Sequence, residues 1–144
     1  MNLSDEMKKD IKTRLGYDDE ELKIFLDNPN NIDILAKSIP LLNKTIVIEV
    51  IESHGCNSQH KVGDKIYFDG AGSLLTKLSP KRICIYALSV LDKLIHSALE
   101  LIYAGADPNE MRFKRASCFD IGLQCGGWGR IIMELKVVDR NKIN

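Results

Sequence analysis

The chain has 144 residues, 44% hydrophobic and 28% charged, with twenty basic side chains against twenty acidic ones. That size supports one hydrophobic core without disulfide staples, and that composition excludes a disordered chain. The balanced charge disfavours a nucleic-acid partner, and the apolar runs at 45–50 and 83–102 are short or interrupted by Asp92, Lys93, His96 and Glu100, which excludes a membrane span.

Residues 1–6 are polar and carry no secretory pattern, so the expectation is a cytoplasmic protein whose four cysteines stay reduced. Ser4 is placed to cap a first helix over 5–15, with Leu3, Met7, Ile11 and Leu15 at every fourth position and Gly16 as its stop. Asp18 and Glu21 form an acidic analogue of the capping box ahead of Leu22, Phe25 and Leu26, and Asn28-Pro29 ends that second helix. A third short helix over 31–38 is expected to stop ahead of Pro40. These pieces make an N-terminal helical lobe, residues 1–42.

Residues 45–51 are rich in β-branched side chains and read as a buried strand, followed by a polar loop over 52–60. A second strand is predicted at 65–68, closed by the turn Asp69-Gly70-Ala71-Gly72. Ser79-Pro80 has the form of a helix entrance, and Cys84, Leu88, Leu91, Ile95, Ala98 and Ile102 then recur on one stripe until Gly105 and Pro108. Two more strands are expected at 112–117 and 131–138, joined by the glycine-rich segment 122–129. The prediction is an α+β fold: a small, mostly antiparallel sheet packed on one long helix over residues 43–144, with the helical lobe as part of a single domain spanning 1–144.

The chemistry-bearing residues are cysteines and histidines. Cys56 and His60 stand at C-x3-H spacing in a polar loop, which suits a shared metal ion or a thiol–imidazole pair. Cys84 falls in the first turn of the long helix, where the helix dipole favours a thiolate, yet it also lies on the apolar stripe and packing alone accounts for it. Cys118 ends a strand and Cys125 lies in the glycine-rich loop, each placed to serve a site or to pack. Asp120, beside Cys118, is either an acid/base group or a residue that orders the loop. His54 and His96 read as solvated histidines. Gly126-Gly127-Trp128-Gly129 is not a phosphate loop, because a strand and not a helix follows it. Lys81, Arg82, Arg112, Lys114, Arg115 and Arg130 are either scattered charges or a pocket for a small anionic ligand near the start of the long helix.

Cys56, then His60-Lys61-Val62-Gly63-Asp64, then Cys84, then Cys118-Phe119-Asp120 resembles a family of small uncharacterised prokaryotic proteins with the pattern C-x3-H-K-x-G-D and two further cysteines. The resemblance covers residues 45–138 and departs from the family at Ile85 and Phe119, where proline is common. It brings no reaction. It implies that Cys56, His60, Cys84 and Cys118 act together, a donor set that suits zinc or an iron–sulfur cluster, with Cys125 as substitute or outer partner. Two other functions compete with metal binding. One is a metal-free enzyme with Cys56 or Cys84 as thiolate nucleophile, His60 as base and the 112–115 cations holding an anionic substrate. The other is an accessory protein that docks a protein partner through its N-terminal lobe.

Overall fold

The computed structural model describes residues 3–143. The chain divides into two compact units, Met1–Ile39 and Pro40–Asn144, and the first two residues of the expected lobe lie outside the described residues.

The N-terminal unit holds α1 (Asp5–Leu15), α2 (Asp19–Asp27) and most of α3 (Pro29–Leu42). The Ser4 hydroxyl accepts the Met7 N–H at 3.2 Å, and Gly16, at φ 73°, returns its N–H to the Lys12 carbonyl. Glu21 donates its N–H to Asp18 at 2.8 Å while its own carboxylate accepts the Asp18 N–H at 3.0 Å, the reciprocal capping box that the spacing predicts. Inside the unit the Tyr17 and Phe25 rings pack with centroids 5.8 Å apart. α3 runs on through Pro40 to Leu42, correcting the expected stop before the proline. The α conformation before proline is disfavoured but not barred, and Pro40 merely removes one helical N–H.

The second unit is an α+β layer. Its antiparallel sheet has the order β2 (Lys65–Asp69), β1 (Lys44–His54), β4 (Arg130–Asp139), β3 (Arg115–Ser117), and α4 (Ile85–Tyr103) covers one face. Alternation puts Ile46, Ile48 and Val50 of β1 inward beside Ile131, Met133 and Leu135 of β4, where they meet Ala87, Leu91 and Ala98 of α4, all at most 1% exposed. Burial of this apolar surface is what holds the layer together.

Three boundaries in this unit differ from the sequence expectation: β3 is only Arg115–Ser117 and not 112–117, and the other two have local reasons. The Ser79 hydroxyl accepts the Tyr67 N–H at 2.9 Å and so secures the β2 edge, leaving α4 to begin at Ile85 with Cys84, in extended conformation, as its N-cap. β1 reaches His54 because it recovers from an irregularity: Val50 faces Met133 and Glu52 faces Ile132, so Ile51 bulges out unpaired.

Candidate functional site

The bulge at Ile51 decides which side chains share a face. Before it, the even-numbered residues of β1 point to α4. After it, Ser53 lies opposite buried Ile131 on the α4 side, whereas Glu52 and His54 turn to the other side with their partners Ile132 and Arg130. The end of the sheet therefore has two chemically separate faces.

On the α4 face, the Ser53 hydroxyl donates to the His60 carbonyl at 2.6 Å. The segment that follows is pinned back on β1, with Gly63 N–H donating to Val50 O at 2.8 Å and Val50 N–H to Asp64 O at 2.9 Å. Asp64 also accepts the Lys61 N–H at 2.9 Å, so Lys61 and Asp64 build the turn into β2. Gln59 is held at φ 61°, in the left-handed region that non-glycine residues rarely adopt. His60 is 4% exposed, and its Nδ1 is 3.8 Å from the Asp64 carboxylate, too far for a hydrogen bond. Its Nε2 is buried and has no hydrogen-bond partner among the described residues, so Cys56 is not bonded to it.

Cys118 continues the β3 pairing with its N–H donating to Ile131 O at 3.0 Å, while its Sγ accepts the Ile131 N–H at 3.4 Å and lies 3.7 Å from the Asp120 carbonyl. The next residue, Phe119, donates its N–H to Tyr86 O at 3.0 Å and stacks its ring on Tyr86, tying this strand end to the first turn of α4. Cys84 caps that helix through its backbone alone; its thiol makes no capping bond. Cys56, Cys84 and Cys118 are half-buried against the core, and none is in a disulfide. Among the described residues, however, no group of three or more His, Cys, Asp or Glu side chains is gathered closely enough to hold one metal ion.

Cys125 stands elsewhere. It is exposed and lines a cleft of about 640 Å³ with Ser53, with Glu52 and His54, which the bulge turns away from α4, and with Arg130 opposite His54. It differs from the other three cysteines, which are half-buried against the core. Asp120 is spent on the loop between the two faces: its carboxylate accepts the N–H groups of Gly122 at 2.9 Å, Trp128 at 3.2 Å and Gly129 at 3.3 Å. The Gly122 bond above all holds the carboxyl below its usual value, with burial opposing and Gly129 and Trp128 adding to the effect. Gly129 is a point of contact between backbones, since a Cβ there would lie 2.2 Å from the Gly55 carbonyl. Trp128 is 73% exposed and does not cap the core.

The cations expected near the start of the long helix have separate engagements. Arg115 pairs with Glu134 at 2.6 Å, Lys114 donates to Asn109 O, Arg112 lies over the Phe113 ring and Arg130 faces the cleft. Sequence reasoning missed Ser53, which positions His60, and the bulge that aims Ser53 inward. No residue in the run from Val50 to Ser53 marks the extra residue. Comparison with known protein families, curated proteins and solved structures finds no match.

Proposed function

We propose that the chain binds a metal ion, zinc or an iron–sulfur cluster, through Cys56, His60, Cys84 and Cys118, in a reducing cytoplasm that keeps these thiols available. The observation that supports this reading is the buried, unpartnered Nε2 of His60 at the end of the sheet to which Cys118 and the start of α4 are tied. A buried nitrogen left without a partner costs roughly 1–3 kcal/mol, and a soft cation is a partner that removes the cost. The resemblance to the C-x3-H-K-x-G-D family supports the same four residues. A metal bound there would supply a closed structural centre or a redox group. The protein supplies a buried imidazole, a sulfur that already accepts a backbone N–H at Cys118, and a helix N-terminus at Cys84. Because the donors are not gathered at one point, loading must draw the segment from Gly55 to Asp64 toward Cys84 and Cys118.

Metal analysis of anaerobically purified protein tests the reading. A stoichiometric metal is expected, lost from Cys56→Ser and Cys84→Ser and retained by Cys125→Ser, with amide shifts on loading concentrated in residues 55–64 and at Cys118. Metal-free folded protein, or full occupancy in both serine variants of the α4 face, overturns it.

A thiol enzyme without metal is the second reading, and the specific support is the half-buried Cys118 sulfur, held between the Ile131 N–H at 3.4 Å and the Asp120 carbonyl at 3.7 Å. Selective alkylation of Cys118 near neutral pH in the metal-free protein is the expected result for that chemistry. For the N-terminal unit, the exposed Ile24, Ile34 and Ile39 support a protein partner, to be sought by co-purification with and without residues 1–39.

A further inference from the structure

A cleft beside the end of β1 is lined by Glu52, His54 and Arg130 and shares Ser53 and Val62 with the segment that carries His60. Its two charged side chains, Glu52 and Arg130, lie on neighbouring strands two pairs apart, Glu52 opposite Ile132 and Arg130 opposite His54. Such diagonal neighbours stand about 7–8 Å apart, within reach of long side chains. Yet neither takes part in any ion pair among the described residues. The Arg130 stem runs beside Gly122, whose added Cβ would lie 3.9 Å from the arginine Cδ, so the guanidinium is carried along the loop wall of the cleft. That wall and its facing edge are apolar, with Val62, Ile121 and Leu123 exposed at 64%, 61% and 68%.

One cation, one anion and an apolar floor side by side in a cleft of about 640 Å³ match a ligand bearing both charges and an aliphatic body. We propose that this cleft binds a small aliphatic zwitterion of amino-acid or dipeptide size, with its carboxylate on Arg130, its ammonium on Glu52 and its side chain over Val62, Ile121 and Leu123. A simple anion would meet the carboxylate of Glu52, and a simple cation the guanidinium of Arg130. Only a ligand with both groups satisfies the two together. His54, beside Arg130, offers the carboxylate a further N–H. Cys125, on the rim, serves as a reporter of occupancy.

The test uses the full chain with L-leucine and L-leucyl-L-leucine as probes, followed by amide shifts and by the rate at which iodoacetamide modifies Cys125. One or both probes are expected to shift amides in 121–130 and to slow Cys125 alkylation. 4-Methylpentanoate, which lacks the amine, and isoamylamine, which lacks the carboxylate, are each expected to bind about tenfold more weakly or worse. Arg130→Gln and Glu52→Gln should each weaken the better probe by about tenfold, with circular dichroism confirming that both fold. Equal binding of leucine and 4-methylpentanoate, an unchanged affinity in Glu52→Gln, or shifts that fall outside the cleft overturn the proposal. So does the absence of any shift at about 10 mM of both probes.

Discussion

His60 puts the strongest constraint on the chemistry of this molecule, because a buried ring nitrogen without a partner is a defect unless something supplies one. Replacing such a group by an apolar side chain of similar size removes the defect along with the donor. His60→Leu is therefore expected to leave the stability of the metal-free protein unchanged or raised by about 1 kcal/mol, and to abolish metal retention. Denaturant melts paired with metal analysis check both halves, and a loss of several kcal/mol in the metal-free state would show that the imidazole has a protein partner. Asp120 makes a pH prediction. Its folded pKa is depressed by the N–H groups of Gly122, Gly129 and Trp128, so it stabilises the fold above the ordinary carboxylate value, and that contribution is lost as pH falls through the folded value. Loosening of the 120–129 loop is expected only below the ordinary carboxylate range, read from Trp128 fluorescence, and Asp120→Asn should show the loosened signal at neutral pH and no acid transition of its own. The C-x3-H spacing of Cys56 and His60 was legible in the sequence, but not that His60 is buried with its Nε2 unbonded to Cys56. Nor was the exposed place of Cys125 on the cleft, since it lies in the short turn Leu123–Cys125 whose path no local spacing marks.

Local caps carried the helices of the N-terminal unit: Ser4, Asp18 and Glu21 act on residues three positions away, so their meaning is contained in the sequence around them. Ser79-Pro80 has an equally good local signal that long-range pairing overrides, because the Ser79 hydroxyl is taken by Tyr67 on β2. The bulge at Ile51 has no local signal. Its cost is one unpaired residue, and its effect is to change the address of every side chain after it. Where β1 ends and β4 begins, Gly55 and Gly129 let the two backbones touch. In Gly129→Ala the new Cβ would meet Gly55 and His54 backbone atoms at 2.2–2.3 Å, and backbone cannot swing aside as a side chain can. The substitution should destabilise by on the order of 1–3 kcal/mol and shift the amides of Glu52, His54 and Arg130. Gly126→Ala, whose Cβ meets nothing within 4 Å, is strained instead by its φ of 91° and should cost stability while disturbing those amides less. Equal perturbation by the two would show that the close approach is not what matters at position 129.

The division of the whole chain falls at Pro40, inside α3, and not at the end of that helix. Leu41 is 4% exposed, and its carbonyl lies where a side chain on Gly70 would have to go, so the last turn of α3 belongs with the sheet. A chain starting at Pro40 is expected to unfold cooperatively, with fluorescence and circular dichroism transitions that coincide. A chain starting at Asn43 should lose roughly 2–5 kcal/mol through the missing leucine. Non-coincident transitions in the longer of the two would show that residues 1–39 are part of the same cooperative fold. At this scale, among the described residues, no helix is long and apolar enough to cross a membrane.

The central pairing of the sheet has a consequence for how the molecule comes into being. β1 and β2 are near neighbours in the chain and can form a hairpin as soon as both have left the ribosome, but the other edge of β1 is matched by β4, with Lys44 against Asp139 and His54 against Arg130. Until the chain has been translated through β4, β1, with Ile46, Ile48 and Val50 on its inward face, waits with one row of N–H and C=O groups open. During that interval the open edge is exposed to mispairing with other strands. The register that sorts Ser53 to one face and Glu52 with His54 to the other is then decided in a single late event, when β4 closes the sheet.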